Sequence, residues 1–353
     1  MKYFEKIDGL RFIAILAVMV HHIASIFSTY IDWGYFGVDL FFVISGFLIT
    51  TILLKSKGNF KTLYYKFLAR RSLRIFPLYY FVLILLILLG NEIVKDNIIY
   101  LATYTFNYQY PFIDTPNPVG HFWSLSVEEQ FYFFWPFIVI GLRYKEKTLM
   151  AVVLLMISFG YLQIYFSIIP SLSSYNYTGL PARMGSLGLG ALGSIMFMSR
   201  KAWLIDILTN RYLEYVMYFI LMVSLLFMQP ILMGLSSLFM VLKAANNSYH
   251  ARWVSKLLTN QKVLYIGRIS YGLYIYHVPV IFYVTPYVFD PVWNLINFED
   301  LGALQVLKYH SWIIKFPLYC AITIVIAELS YRYFEKPLLG LKDRFFKYAQ
   351  SAS

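Results

Sequence analysis

Apolar residues fill this chain in blocks of about twenty, separated by short polar stretches that carry most of its charge. A helix needs roughly 20 mostly apolar residues to cross the hydrocarbon of a bilayer. The blocks predict spans at 9–29, 35–55, 76–92, 122–142, 148–168, 186–199, 212–229, 230–246, 264–288 and 312–334. Those at 186–199 and 230–246 are short. Backbone facing lipid must satisfy its own hydrogen bonds, which favours helices, and no segment alternates as a barrel strand would. The predicted fold is all-α, a polytopic transmembrane helical bundle of about ten helices. No long polar segment, low-complexity tract or Pro/Gly-rich linker interrupts residues 1–353, so the chain reads as a single integral-membrane domain. It starts as a signal peptide does, with Lys2, Lys6 and Arg11 ahead of an apolar stretch. It lacks a small-residue cleavage site there and a second apolar helix follows closely, so an uncleaved first span is expected.

Composition agrees with a bilayer as solvent: 59% of residues are hydrophobic and 14% charged, where soluble domains carry about a quarter charged. Charge then sets the orientation. With the N-terminus in the cytoplasm, all but Lys95, Arg183, Lys308 and Lys315 of the 30 Lys and Arg residues fall on cytoplasmic loops or the tail. This is the positive-inside pattern, and adding or removing one span would spoil it. Both termini are therefore expected in the cytoplasm. The net charge of +12 is scattered among loops rather than gathered on one soluble face. No nucleic-acid partner is expected; anionic lipid headgroups and an anionic substrate fit better. The single cysteine, Cys320, lies in an apolar run, which excludes a disulfide framework and a Cys-based metal site.

Ionisable groups inside such spans are costly and usually face a cavity or the bundle interior. Arg11 and His22 lie eleven residues apart on the first span, which places them on one helix face about 16 Å apart along the axis. Arg11 is expected near the cytoplasmic interface and His22 near mid-membrane. His22 is read as a functional histidine, with a packed, hydrogen-bonded histidine as the alternative; for the neighbouring His21 the packed reading is preferred. Arg71 and Arg74 are one turn apart just before the third span, where two guanidinium groups can grip a phosphate or diphosphate; ordinary topology-setting charge is the other reading. The fourth span opens with His121-Phe-Trp-Ser-Leu-Ser-Val-Glu-Glu-Gln-Phe-Tyr132, which sets Ser124 and Glu128 on one face. Glu128 and Glu129 have the chemistry to orient a histidine, hold an acceptor hydroxyl or shuttle a proton, or else they anchor the helix end. Ser126 lies between them and Ser124. In Gly37-Val-Asp-Leu-Phe-Phe-Val-Ile-Ser-Gly-Phe47, Gly37 and Gly46 permit close helix packing, Ser45 can bond across helices, and Asp39 has a structural reading. His277 is a further histidine within the ninth span, and Glu328 and Glu335-Lys-Pro337 punctuate the end of the last.

In this order the motifs resemble the membrane-bound acyltransferase 3 family, O-acyltransferases that modify bacterial surface glycans. The resemblance runs from Asp8-Gly-Leu-Arg11 to Glu335-Lys-Pro337. It rests most on the Arg followed eleven residues later by His, the Gly37–Phe47 block, the Arg-x-x-Arg pair and Trp123-Ser-Leu-Ser-Val-Glu-Glu-Gln-Phe-Tyr132. It implies that Arg11 and His22 match an essential first-span pair, that Arg71 and Arg74 engage acyl-CoA, and that Ser124 and Glu128 form a Ser-x-x-x-Glu element. Arg183 falls where members often carry an acidic residue two positions later; Gly185 stands there instead, which weakens any role for this region. No fused esterase-like domain is expected after the membrane unit.

The resulting expectation is transfer of a short acyl group, most simply acetyl, from cytoplasmic acyl-CoA to a hydroxyl of a cell-surface or lipid-linked glycan. The setting would be a bacterial inner (plasma) membrane. Arg71, Arg74 and Arg11 would hold the CoA phosphates, His22 would act as general base or transient acyl carrier, and Glu128 would orient the histidine or the acceptor from the opposite side. Ser124, Ser126, Glu129, Asp39, Ser45 and His277 are supporting or substrate-binding candidates. No tightly bound cofactor and no metal is expected. Acyl-CoA, a glycan or glycolipid acceptor and membrane lipids are the expected partners, with a homo-oligomer left open. A glycan or lipid transporter or flippase is the rival, although neither paired broken helices nor a repeat is present. A haem protein using His21, His22 and His277 is a second rival.

Overall fold

The computed structural model describes residues 3–24, 31–199 and 201–345, of which 299–301, 303, 304 and 341–345 are described by backbone alone. The last part of the predicted first span (25–29) and the basic residues Lys2, Arg200 and Lys347 lie outside them. Among the described residues the secondary structure is helical and no strand occurs. A helix stands at each predicted place: α1 (Glu5–Ile23), α2 (Trp33–Lys55), α3 (Phe60–Leu88), α4 (Phe122–Leu142), α5 (Glu146–Phe166), α6 (Leu180–Ser199), α7 (Arg211–Leu226), α8 (Pro230–Asn246), α9 (Ser270–Val284) and α10 (Trp312–Ser330). Among the described residues, five helical stretches can cross a membrane by length and composition: Trp33–Lys55, Phe60–Leu88, Glu146–Phe166, Ser270–Trp293 and Trp312–Gly340. That is fewer than the expected ten. α1 carries Glu5, Lys6, Asp8 and Arg11, and α7 and α8 have only 16 and 17 residues.

Two boundaries differ from the hydropathy reading for identifiable reasons. α3 begins sixteen residues before the predicted 76, at Phe60, where the Asn59 side chain accepts the Thr62 N–H at 2.8 Å. Its first half carries Lys61, Lys66, Arg70, Arg71 and Arg74, which lower the hydropathy without breaking the helix. Arg71 and Arg74 are therefore inside a long helix, not in a loop before one. The predicted span 264–288 is divided at Ile269 into a short amphipathic helix, Gln261–Arg268, and α9. α9 runs on through a π-helical turn, Thr285–Phe289.

Small residues let the central helices approach closely. A Cβ on Gly46 of α2 would meet the Leu187 carbonyl of α6, and one on Gly190 would meet the Val43 carbonyl in return. One turn on, the Thr51 and Ser194 hydroxyls bond at 2.8 Å across the same contact. α4 is tied to α2 by the Trp135 indole, which donates to Thr50 at 2.8 Å. A fully buried ion pair, Lys243–Glu214 at 2.6 Å, joins α8 to α7, and Glu214 also accepts the His250 and Ala251 backbone N–H groups.

The segments expected on the cytoplasmic side meet one another. Lys6 donates to Ser255 at 3.0 Å, Arg143 donates to the Gly58 carbonyl at 2.8 Å, and Lys55 lies over the Phe4 ring. The opposite connections also meet, through Thr178 to the Asn107 carbonyl and Tyr108 against Tyr175. The segment between α3 and α4 folds back along α3, where the Tyr79 and Tyr80 hydroxyls hold the Leu101 and Ala102 carbonyls.

Candidate functional site

Arg11, Ser45, Arg71, Arg74, Ser124 and Glu128, drawn from α1 to α4, line one narrow cleft of about 80 Å³. Tyr132, Tyr271 and Tyr274 complete its wall. Arg11 is held by Asp8 three residues earlier, at 2.7 Å. Tyr3 donates to the other Asp8 oxygen. Partial desolvation, reinforced by that carboxylate, pushes the Tyr3 hydroxyl up to about 12. The Arg71 guanidinium lies 4.4 Å over the Tyr132 ring. Ser45 donates to Glu128 at 2.6 Å and lies 3.2 Å from the Tyr132 hydroxyl. The site thus collects three cations and one carboxylate in a confined space.

This arrangement corrects one expectation. Glu128 bonds Ser45 and stands within electrostatic reach of Arg71 and Arg11. It is not on the far side of His22, and among the described residues nothing places it against a histidine. His22 is the residue that stands apart from the cleft. It lies in the last turn of α1, which ends at Ile23.

Around His22 the bundle assembles histidines from three helices. The His22 and His277 rings are 5.0 Å apart, and His121 lies 4.7 Å from His277 and 6.3 Å from His22. Hydrogen-bond geometry assigns the protons of His22 and His277. His277 Nδ1 lies 2.7 Å from the Tyr274 carbonyl, which only accepts, so Nδ1 carries the proton and Nε2 a lone pair in the neutral ring. That lone pair faces His22 Nδ1 at 3.3 Å. His22 Nδ1 is also 3.0 Å from the Val18 carbonyl, which again requires a proton there. The His22 Nε2 lone pair is thereby left over, and nothing bonds it among the described residues.

Tyr274 connects the two halves of the site. Its hydroxyl faces Ser124 at 2.6 Å and donates to the His121 carbonyl at 3.1 Å, while its ring packs 5.2 Å from His121 and 5.5 Å from His277. The same side chain lines the arginine cleft. His121 and Tyr274 were not singled out in the sequence. His121 sits three residues before Ser124 at the mouth of an apolar helix, which is the signal that marks it. Tyr274 is one tyrosine among three in Tyr271-Gly-Leu-Tyr-Ile-Tyr276 and is selected only by packing.

The remaining candidates fall elsewhere. Ser126 is fully buried and donates to the Phe122 carbonyl of its own helix at 3.2 Å, so it takes no part in the cleft. Asp39 is fully buried, accepts from Ser186 and lies within electrostatic reach of Arg183. Arg183 is fully buried among the rings of Tyr35, Tyr177 and Trp123, at 4.3, 4.7 and 5.2 Å. Its acidic neighbour thus comes from α2 rather than from the position of Gly185. Glu129 lines a second cavity behind Arg71. His21 approaches Asp32 at 3.6 Å. Among the described residues no group of three or more His, Cys, Asp or Glu side chains is placed to hold a metal ion. His22 Nδ1 and His277 Nε2, 3.3 Å apart, are too close to hold a haem iron between them, which at about 2 Å per bond needs about 4 Å.

A family model described as an acyltransferase domain, acyltransferase 3, matches residues 4–332. A "Putative O-acetyltransferase" of Staphylococcus aureus is 30% identical over 96% of this chain and 57% of its own length. The peptidoglycan O-acetyltransferase OatA of Listeria monocytogenes is 29% identical over 98% of this chain and 57% of its own. The chain thus spans little more than half the length of these curated relatives. No solved structure matches it.

Proposed function

Since the chain belongs to the acyltransferase 3 family, we propose that it moves a short acyl group, acetyl, from cytoplasmic acyl-CoA to a hydroxyl of a surface glycan at the plasma membrane, with both termini inside. The observation that carries this reading is the His22 Nε2 lone pair, left open by the bonds that fix its other nitrogen, beyond a cleft lined by three arginines.

Arg11, Arg71 and Arg74 match the charge of the CoA phosphates. Guanidinium groups suit phosphate because their forked donors meet its oxygens two at a time. Glu128 neutralises part of the cluster and, with Ser45 and Tyr132, holds its geometry in the absence of ligand. The donor's slim thioester arm runs from the arginines past Tyr274 toward the histidines. The His22 Nε2 takes the proton of the acceptor hydroxyl as its oxygen attacks the thioester carbon. The carbon–sulfur bond breaks and the proton passes to the departing CoA thiolate. In the covalent variant Nε2 attacks first and carries the acyl group to the acceptor. His277, through its Nε2, keeps the His22 proton on Nδ1 in either route. The acceptor glycan class is the one named for the Listeria relative.

Purified protein incubated with acetyl-labelled acetyl-CoA and peptidoglycan fragments tests the reading. Label moving onto the glycan supports it. Intact acetyl-CoA after prolonged incubation with every hydroxyl acceptor overturns it.

A further inference from the structure

A second cavity, of about 400 Å³, lies behind the arginine cleft between α3, α4 and the segment that connects them. Arg71 forms the wall between the two, since its side chain lines both. This volume falls within the range of small-molecule sites, and the acyl-transfer steps above make no use of it.

Its wall is polar and incompletely bonded. Glu129 Oε1, Gln130 Oε1, Arg71 Nε and the Tyr104 hydroxyl are all buried without a hydrogen-bond partner. Buried polar atoms are normally paired, so four orphans around one cavity point to a ligand or water that completes them. Ser72 and Thr103 add hydroxyls, and Phe76 stacks on Tyr104 at 5.4 Å to give an aromatic floor. The mouth is different. Phe133 and Phe134, 50% and 57% exposed, line it on the outward face of α4, an apolar surface that suits contact with hydrocarbon.

We propose that this cavity takes the head of a membrane amphiphile, a lipid bearing a neutral sugar or polyol, which enters sideways from the bilayer between α3 and α4. Hydroxyls meet the carboxylate, carboxamide, phenol and guanidinium groups that lack partners, and a sugar face lies on the aromatic floor. A phosphate head fits less well, because the single cation of the wall is opposed by Glu129. The lipid head then lies beside Arg71 and apart from His22, as a ligand additional to the acyl acceptor of the reading above.

The test uses the full chain in phosphatidylcholine nanodiscs containing a small fraction of monoglucosyl diacylglycerol, with the lipid bound to the protein counted by native mass spectrometry. The glucosyl lipid is expected to be retained at least tenfold above its share of the bilayer. Ser72→Trp, which fills the cavity without touching the arginine cleft, abolishes the enrichment, while Ser72→Ala keeps it. No enrichment in the wild type, equal retention by a correctly melting Ser72→Trp protein, or equal competition by phosphatidylglycerol overturns the proposal. Its failure is separable from that of the acyltransfer reading. Transfer of label to a water-soluble glycan with no glucosyl-lipid enrichment removes the cavity's role alone. Enrichment without any acetyl-CoA turnover leaves the binding site standing and removes the reaction alone.

Discussion

At the scale of single residues, the decisive feature is where two protons sit. A histidine serves as base or nucleophile only through a nitrogen with a free lone pair, and the other nitrogen's partners decide which one that is. Val18 and His277 together hold the His22 proton on Nδ1. His277→Leu removes one of the two, at a cost of about 1 kcal/mol for a lost hydrogen bond. Acetyl transfer should fall about tenfold in kcat with little change in KM, and His277→Gln, which keeps an acceptor in reach, should recover part of it; equal rates for all three proteins would assign His277 to packing alone. The arginines act on the other substrate. Arg71→Ala combined with Arg74→Ala removes two charge-assisted contacts and should weaken acetyl-CoA binding tenfold or more, as read by isothermal titration calorimetry; unchanged affinity would end the phosphate-clamp role. Arg11 and His22 were legible in the sequence as ionisable groups on an apolar helix, and Arg71 and Arg74 as an Arg-x-x-Arg pair shared with the family. His121 and Tyr274 were not, since only packing brings them beside His22. The placement of Glu128 was misread for the same reason: its helix position was clear, but its neighbour, Ser45, comes from another helix.

At the scale of helices, the apolar blocks predicted α2, α4 and α8 closely because in these the apolar run and the helix coincide. The start of α3 escaped because hydropathy reports lipid exposure and not helicity. Its first turns carry five cations yet contain no helix breaker. The division at Ile269 escaped because a short amphipathic helix abuts an apolar one without an intervening polar stretch. Packing between helices follows from small residues. At Gly46 an added methyl group meets the carbonyl of Leu187, a backbone atom that cannot turn aside. Gly46→Val should therefore disrupt the α2–α6 contact and yield aggregated or rapidly degraded protein on size-exclusion chromatography. Gly141→Val, where nothing lies within reach of a new side chain, should elute as the wild type. A normal elution profile for Gly46→Val would show that the two helices can separate without loss of fold.

At the scale of the molecule, charge and packing tell one story of two sides. Loops rich in Lys and Arg touch one another, as Lys6–Ser255 and Arg143–Gly58 show, and the remaining connections pack together on the other side. The sequence alone gave the likeness of the whole chain to one family, because motifs from Arg11 to Pro337 occur in order, and the family match over residues 4–332 agrees. In a Cys320→Ser background, Asp114→Cys should react with a membrane-impermeant maleimide on intact cells. Lys145→Cys should react only after permeabilisation. The reverse pattern would invert the proposed orientation and with it the side from which acyl-CoA enters.

The central claim is that His22 performs the transfer from beyond an arginine-lined cleft that holds the donor. Single-turnover transfer from labelled acetyl-CoA, measured on purified His22→Ala and wild-type protein with donor binding followed in parallel, tests it directly. The His22→Ala rate should be about 10²–10⁴-fold lower with donor affinity unchanged. Transfer by His22→Ala at the wild-type rate would contradict it.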